Sequence, residues 1–127
     1  MRMREAVTEW AKEHIHIGEK IERIDSGTHW IKDCKVKYIC GSAKVGNIRD
    51  SAKIKNIYDS AKVEYICGFA EVGYIYGSAI IETAKYCTWE HIKSVCIKDE
   101  AVLIDRYNNK IYHSGAFETV IMGGKKK

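Results

Sequence analysis

The feature that most constrains this chain is a nine-residue phrase that occurs five times in succession, from residue 36 to residue 80. Its first position is always Val or Ile, its fourth position is always Ile, and its eighth position is always Ala. The five copies are VKYICGSAK, VGNIRDSAK, IKNIYDSAK, VEYICGFAE and VGYIYGSAI. Self-similarity at a fixed period indicates a repeat architecture, in which each unit packs on its neighbours.

The repeat is too short for a helical unit, because two helices and two turns need at least about 20 residues. Its residue types also favour strands: Val, Ile, Tyr and Cys recur, and Gly or Asp stands at the sixth position. β-branched and aromatic residues suit strands, whereas Gly and Asp suit turns. The repeat therefore predicts short strands separated by tight corners.

The spacing within the repeat suggests how the chain bends. Ala at position 8 and Val at the next position 1 are two residues apart, so both side chains can face the interior of one strand. The next Ile comes three residues later, so a corner is expected between them. With a second corner at position 6, each nonapeptide gives two short sides. We therefore predict a mainly-β, single-domain β-solenoid (parallel β-helix) with ladders of Ile, Val and Ala inside.

Two coil lengths are compatible with the pattern. An 18-residue coil stacks Ile39, Ile57 and Ile75, whereas a 27-residue coil superposes the first and fourth copies, which match at six of nine positions. The 18-residue coil is favoured because its narrow interior is filled by Ile, Val and Ala. Outside the five copies the repeat fades: residues 27–35 place Trp30 in the Ile slot and Cys34 in the Ala slot, and residues 81–89 keep little beyond Ile81.

The flanking segments predict caps for the two ends of the solenoid. Residues 3–15 have apolar side chains at helical spacing, so a capping helix is expected within 1–17, followed by the solenoid at 18–99. Apolar runs on either side of Asn108-Asn109 predict a β-hairpin cap within 100–122. Residues 123–127, GGKKK, are expected to be a disordered tail.

Composition narrows the class of protein. The formal charge is +4, from 21 basic and 17 acidic residues, which is more balanced than is usual for a dedicated nucleic-acid binder. The five cysteines are odd in number and contain no CxxC pair. The first residues carry charges throughout, unlike a secretory signal peptide, and no apolar run reaches the ~18 residues of a membrane span. These features predict free thiols, a cytoplasmic location and no membrane partner.

Tyrosines at the outward positions 3 and 5 are the main candidates for a protein-binding surface, together with Arg49. Tyrosine gives a large contact area at a low entropy cost. The alternative is that the rings stack on one another and only stabilise the coil. The tyrosines concerned are Tyr38, Tyr58, Tyr65, Tyr74 and Tyr76.

Position 9 carries Lys44, Lys53 and Lys62 in successive copies and then Glu71. A ladder of lysines can follow a phosphate backbone, which makes nucleic-acid binding a second hypothesis. The segment 37–62 is rich in basic residues and 63–85 in acidic residues, so the solenoid would have a basic and an acidic half. The alternative is an ordinary solvated surface.

The sequence contains no local signature of catalysis, of metal binding or of a cofactor. GxSxG, P-loop and HExxH motifs are absent. Cys40 and Cys67 are expected to point outwards, but they recur with the repeat, as do its serines, and a catalytic residue is normally singular. His14 and His16 would lie on different faces of the predicted helix. We therefore expect no enzyme, no metal site and no cofactor.

The VxxIxxSAx array over residues 27–89 resembles tandem nonapeptide-repeat proteins of bacteria and phages. In shape it is also similar to pentapeptide-repeat proteins, although it lacks their A-D/N-L-x-x motif. Small solenoids without a catalytic motif are similar in style to phage anti-defence proteins such as anti-CRISPRs. This resemblance implies a phage or mobile-element inhibitor in the cytoplasm of a host cell.

These observations lead to one main functional expectation and two alternatives. The main expectation is a non-enzymatic protein-binding module that blocks a bacterial defence complex sterically through one solenoid face. The first alternative is a nucleic-acid-binding protein that uses the lysine ladder. The second is a self-assembling solenoid, for which a homodimer is the simplest form.

Overall fold

A computed structural model describes residues 14–86, 89–91 and 94–113 and the backbone of one further strand at 119–121. All regular elements of these residues are strands. They are β1 (Ile15–Ile17), β2 (Lys20–Ile24), β3 (Thr28–Lys32), β4 (Lys35–Ile39), β5 (Lys44–Arg49), β6 (Lys53–Ile57), β7 (Lys62–Ile66), β8 (Glu71–Ile75), β9 (Ile80–Thr83), β10 (Cys96–Ile97), β11 (Val102–Asp105), β12 (Lys110–His113) and β13 (Thr119–Ile121).

The strands alternate between two sheets, as a solenoid requires. Sheet A has the order β1-β3-β5-β7-β9-β11-β12-β13, and sheet B has the order β10-β8-β6-β4-β2. Pairing is parallel from β1 to β11 in sheet A and throughout sheet B. The predicted β-solenoid is therefore confirmed, with about five coils.

The register establishes the coil length. Lys35 pairs with Lys53, and Lys53 pairs with Glu71, which is the spacing of the 18-residue coil. The 27-residue alternative is wrong. The outer coils differ in length: the pairing of Lys20 with Lys35 makes the first coil shorter, and the pairing of Ile80 with Val102 makes the last one longer.

The core consists of stacked identical positions. The position-4 isoleucines of the five copies are all fully buried, at 0% exposure, and the position-8 alanines are as well. Because Ile39, Ile57 and Ile75 are in register, each side chain packs on a copy of itself in the next coil. The predicted interior ladders of Ile, Val and Ala are confirmed.

The corner that was expected between positions 1 and 4 does not break the strand, because both positions lie on one continuous strand. Each nonapeptide gives one strand, so the coil has two sheets and not four separate sides. In β7, for example, Val63 and Ile66 are buried and the two residues between them are exposed. Two outward residues, instead of one, separate positions 1 and 4, so both positions face the interior although they are three residues apart.

The corners at position 6 need a left-handed backbone, and the sequence meets this need in two ways. Gly41 has φ 61° and Asp59 has φ 59°. Glycine adopts this conformation without steric cost, and Asp tolerates it better than most residues. The Asp59 carboxylate also accepts a hydrogen bond from the Gly41 N–H at 3.0 Å, which ties one coil to the next. Asp99 accepts one from the Gly77 N–H at 3.1 Å in the same way.

Two expectations for the N-terminal side are wrong. Ile31, not Trp30, occupies the Ile slot, since Ile31 pairs with Ile48 and Trp30 with Asn47 across a register shift. Cys34 does take the Ala slot and is fully buried. Residues 1–13 of the predicted helix lie outside the described part of the chain, but Ile15–Ile17 form strand β1, so the helical cap does not extend to residue 17.

At the other end, β11 and β12 pair antiparallel as the predicted hairpin, and β13 pairs with β12. The isoleucine ladder ends here in polar residues: Thr83 and Asp105 are buried, and the Thr83 hydroxyl lies 3.4 Å from the Asp105 carboxylate. That carboxylate also accepts the Asn108 N–H at 3.1 Å, which holds the turn between the two strands. The predicted disordered tail at 123–127 lies outside the described residues.

Among the residues that the structure describes, no helix is long and apolar enough to cross a membrane.

The stacking at the corners predicts unequal effects of two glycine substitutions. Gly18 and Gly41 both have positive φ, but a Cβ on Gly18 meets no atom within 4 Å, whereas one on Gly41 overlaps the carbonyl oxygen of Asp25 in the adjacent coil. Gly18→Ala should lower the free energy of unfolding by roughly 1 kcal/mol, and Gly41→Ala by roughly 3 kcal/mol or more. Urea denaturation followed by circular dichroism measures both. Equal losses would contradict tight stacking at this corner.

Candidate binding face

The 18-residue coil sends alternate nonapeptides to opposite sheets, and this separates the predicted binding residues. They therefore do not form one surface. Sheet B and its corner carry Tyr38, Tyr58, Tyr74, Tyr76 and Lys53, whereas sheet A carries Tyr65, Arg49, Lys44 and Lys62.

Four of the five predicted tyrosines lie on the sheet B side, and we call Tyr38, Tyr58, Tyr74 and Tyr76 the tyrosine face. The Tyr58 and Tyr76 rings are parallel within 1°, with centroids 4.9 Å apart. Tyr38 meets Tyr58 edge-on, at 6.1 Å between centroids. Both arrangements are favourable for aromatic pairs. The face is therefore stacked and pre-organised before any partner binds.

Within the tyrosine face, Tyr38 and Tyr74 stand at position 3 of the repeat, and each has a lysine ammonium close to its ring. The Lys98 ammonium lies 5.4 Å from the centroid of Tyr74, and the Lys37 ammonium lies 5.8 Å from that of Tyr38. These distances are within the range of cation–π attraction. Tyr74 is 46% exposed, so it is the most accessible member of the face.

Cys40, which was expected on the outer surface, is fully buried. It stands at the corner position that Tyr58 and Tyr76 occupy in the next two coils. A hydrogen bond with Cys40, followed by burial, raises the pKa of the Tyr58 hydroxyl above its ordinary value of 10. Burial is the main cause that raises the pKa of Tyr76.

Beside the tyrosine face runs a trough of about 820 Å³, which we call the basic trough. Its two walls are rows of outward residues, one residue on either side of position 1, and the residues at position 1 form its floor. One wall is Lys20, Lys35, Lys53 and Glu71, and the other is Glu22, Lys37, Lys55 and Gly73. His91 and Ser94 also line it.

The centre of the basic trough concentrates positive charge. Lys35 and Lys53 are directly paired on adjacent strands, and strands in a sheet are only about 4.8 Å apart. Like charges placed opposite each other are destabilising. Lys37 has a partner, Glu22, at 3.8 Å. No carboxylate of the described residues lies within 4.0 Å of the ammonium groups of Lys35, Lys53 or Lys55. The lining of the trough therefore holds five lysines against two glutamates.

Sequence reasoning missed most of this trough. It grouped Lys44, Lys53 and Lys62 because they follow one another at nine-residue spacing. In the structure Lys44 pairs with Lys62 on sheet A, while Lys53 pairs with Lys35 on sheet B. Reading the sequence at 18-residue spacing would have grouped Lys35 with Lys53 and Lys37 with Lys55.

The sheet A residues form a separate, smaller surface. Tyr65 is 37% exposed and lines a depression of about 560 Å³ together with Trp30, Gly46 and Lys44. Arg49 lines it too, and its Nε lies 3.7 Å from the Asp50 carboxylate. This surface serves as an internal comparison for the sheet B side.

Within the described ranges, no group of three or more His, Cys, Asp or Glu side chains is arranged to hold a metal ion. The four cysteines in those ranges, Cys34, Cys40, Cys67 and Cys96, are free thiols.

Comparison of the chain with protein-family models, with curated proteins and with solved structures gives no match.

The stacked pair predicts an energetic coupling between Tyr58 and Tyr76. In a double-mutant cycle with Tyr58→Leu and Tyr76→Leu, measured by urea denaturation, we expect a coupling energy of about 0.5–1.5 kcal/mol. Tyr65→Leu paired with Tyr76→Leu is the matched control, because these residues are on opposite sheets and should be additive. A coupling of zero for the stacked pair would contradict the observed geometry.

The raised pKa of Tyr58 predicts a loss of stability in alkali. An unfolded tyrosine ionises near pH 10, whereas folded Tyr58 stays protonated to higher pH, so the folded state gains its advantage below pH 10 and loses it as the pH rises through the folded pKa. Thermal melts between pH 8 and 11 should show a smaller decline for Tyr58→Phe than for the unsubstituted protein. An identical decline in both would contradict this assignment.

Proposed function

We propose that this chain is a non-enzymatic binding protein that recognises an acidic surface of a protein partner through sheet B. The observation that carries the proposal is the placement of the tyrosine face next to the basic trough on one side of the solenoid. Together they offer flat aromatic contact area and uncompensated positive charge. These are the two features that favour tight contact and fast, steered association.

The stacking of the tyrosines favours binding as well as stability. A partner that meets Tyr38 and Tyr74 does not have to order them first, because neighbouring rings and lysines already restrict them. Pre-organised side chains lose less entropy on association. The two explanations that the sequence left open, a stabilising stack and a contact surface, are therefore compatible on sheet B.

The proposal that the chain is not an enzyme rests on its repetition. In-register stacking gives each copy nearly the same surroundings, so recurring Ser, Cys and Tyr side chains form rows along the coil axis. A catalytic centre instead needs different groups that converge on one reacting atom. Rows of equivalent groups are better suited to contact with an extended surface.

The class of partner to test first follows from the resemblance to phage anti-defence proteins. We propose a bacterial defence nuclease complex, inhibited sterically in the cytoplasm of the host. The basic trough would be complementary in charge to an acidic surface of such a complex. A rigid solenoid that covers a functional surface needs no chemistry of its own.

A second candidate function is binding of single-stranded nucleic acid. The observation that favours it is the pair of lysine rows with Tyr38 and Tyr74 alongside. Non-specific single-strand sites combine a positively charged groove with aromatic rings on which bases stack. The affinity of such a site falls steeply as the salt concentration rises.

Two triple variants test which side binds and what it binds. The sheet B variant is Tyr74→Ser with Lys35→Gln and Lys53→Gln. The matched sheet A variant is Tyr65→Ser with Lys44→Gln and Lys62→Gln, which removes the same residue types from the opposite side. Both are used as tagged baits, with and without nuclease, against bacterial lysates, and bound proteins are identified by mass spectrometry.

We expect a stoichiometric protein that survives nuclease with the unsubstituted chain and with the sheet A variant, and that is lost with the sheet B variant. Loss with the sheet A variant alone would contradict the assignment to sheet B. Nucleic acid that binds the unsubstituted chain, disappears with the sheet B variant and takes all bound protein with it under nuclease would establish the second function instead. A concentration-dependent mass in light scattering, unchanged by either variant, would indicate self-assembly.

A further inference from the structure

Two histidines at the N-terminal end of the solenoid form one continuous hydrogen-bonded chain. His16 Nδ1 lies 3.2 Å from the Glu19 carboxylate, and His16 Nε2 lies 3.0 Å from His29 Nδ1. His29 Nε2 in turn lies 2.8 Å from the backbone carbonyl oxygen of Ser26. The two rings are 5.2 Å apart and inclined by 28°. Sequence reasoning placed His16 on a helix, where this contact does not exist; as part of strand β1 it faces His29 on β3.

The number of protons that this hydrogen-bonded network needs follows from the two groups at its ends, the Glu19 carboxylate and the Ser26 carbonyl oxygen. An ionised carboxylate and a carbonyl oxygen only accept hydrogen bonds, so His16 Nδ1 and His29 Nε2 must each carry a proton. The central contact between the two rings needs a third proton. Two neutral imidazoles together carry only two. The complete hydrogen-bonded network therefore requires one proton more than two neutral imidazoles supply.

We propose that His16 and His29 share one proton beyond neutrality and that this proton forms a pH-sensitive latch that holds strand β1 on β3. His16 is the imidazolium: it donates through Nδ1 to Glu19 and through Nε2 to His29. His29 stays neutral, accepts at Nδ1 and donates from Nε2 to Ser26. Hydrogen bonds from a charged group to a carboxylate are stronger than neutral ones.

The surroundings of the pair support this division of roles. Burial is the main cause that lowers the pKa of His29 below its ordinary value of 6.5; the hydrogen bond to Ser26 acts in the opposite direction, and the neighbouring His16 and His14 lower the pKa further. The His16 side chain is 12% exposed and its Glu19 partner 49%. His14 donates through Nδ1 to the Thr28 carbonyl oxygen at 2.6 Å, and its ring lies 5.8 Å from His29.

Among the described residues, several charged groups near the latch have other partners or lie one strand away, and Lys35 meets Glu19 through its backbone N–H, which donates to the Glu19 carbonyl oxygen at 2.9 Å. Lys32, on β3 opposite Ile17, has its ammonium 3.8 Å from the Asp50 carboxylate. Asp25, next to Ser26 in sequence, is bonded to Arg23 at 3.3 Å. Lys44 on β5 is paired with Thr28. The thiol of Cys34 meets the backbone N–H of Glu19 at 3.5 Å.

The latch has an optimum pH because both too few and too many protons break it. As the pH rises and the shared proton leaves, either the carboxylate link or the central link loses its hydrogen. As the pH falls, a second proton on His29 Nδ1 sets two donors against each other. The contribution of His29 is complete above its ordinary value of 6.5 and is lost as the pH falls through its lowered pKa.

Nuclear magnetic resonance of the full chain tests the latch between pH 5 and 9. We expect both ring nitrogens of His16 to carry a proton over a range of pH in which His29 Nδ1 remains an acceptor. Over the same range, backbone amide exchange in β1, corrected for the intrinsic pH dependence, should be slowed by about tenfold or more relative to pH 9. The structural readout is independent of any partner.

Three variants make the result decisive. Glu19→Gln keeps an acceptor but removes its charge, and His29→Gln removes the acceptor ring; each should abolish the tenfold protection and the pH range in which both ring nitrogens of His16 carry a proton. His91→Gln, on the loop after β9, is the control and should leave both unchanged. If no pH is found at which both ring nitrogens of His16 carry a proton while His29 Nδ1 accepts, or if the exchange of β1 follows the same pH profile in Glu19→Gln as in the unsubstituted chain, the latch does not exist.

Discussion

Every other feature of this structure depends on the in-register stacking of one 18-residue coil on the next. Because the coils superpose residue on residue, Ile57 packs between Ile39 and Ile75. A side chain at this position must therefore fit the equivalent side chains of the coils on both sides. The same constraint acts at the corners, where the close approach of Gly41 to Asp25 leaves no space for a Cβ. In such a fold the core consists of the same side chains repeated in every coil, so coils can be added without a change in how the interior packs.

The same stacking determines the outer surface. A residue type that recurs at 18-residue spacing becomes a row along the solenoid, which is how tyrosines stack at 4.9 Å and how Lys35 comes to lie opposite Lys53. Rows of this kind are evenly spaced, so they suit an extended partner better than a small molecule. The departures from repetition are informative for the same reason: the shortened first coil brings His16 to His29, and the buried Thr83 and Asp105 end the isoleucine ladder where the hairpin begins.

The sequence was sufficient to predict the solenoid, its inward ladders and its C-terminal hairpin, because these follow from local spacing and turn residues. It was not sufficient for features that depend on register. Trp30 was assigned to the Ile slot because a nine-residue frame has no place for the one-residue shift that puts Ile31 there. The lysines were grouped in consecutive copies, although alternate copies face opposite sides. His14 and His16 were assigned to a helix because apolar residues before them are spaced at helical intervals, but in the structure residues 15–17 pair as a strand.

Methyl nuclear Overhauser effects among the buried isoleucines, measured on a sample with labelled Ile side chains, test the in-register stacking most directly. The 18-residue coil predicts strong effects between Ile39 and Ile57 and between Ile57 and Ile75. The 27-residue coil would instead give a strong effect between Ile39 and Ile66. In that case neither the tyrosine face nor the basic trough would exist, because only the 18-residue coil brings their residues together.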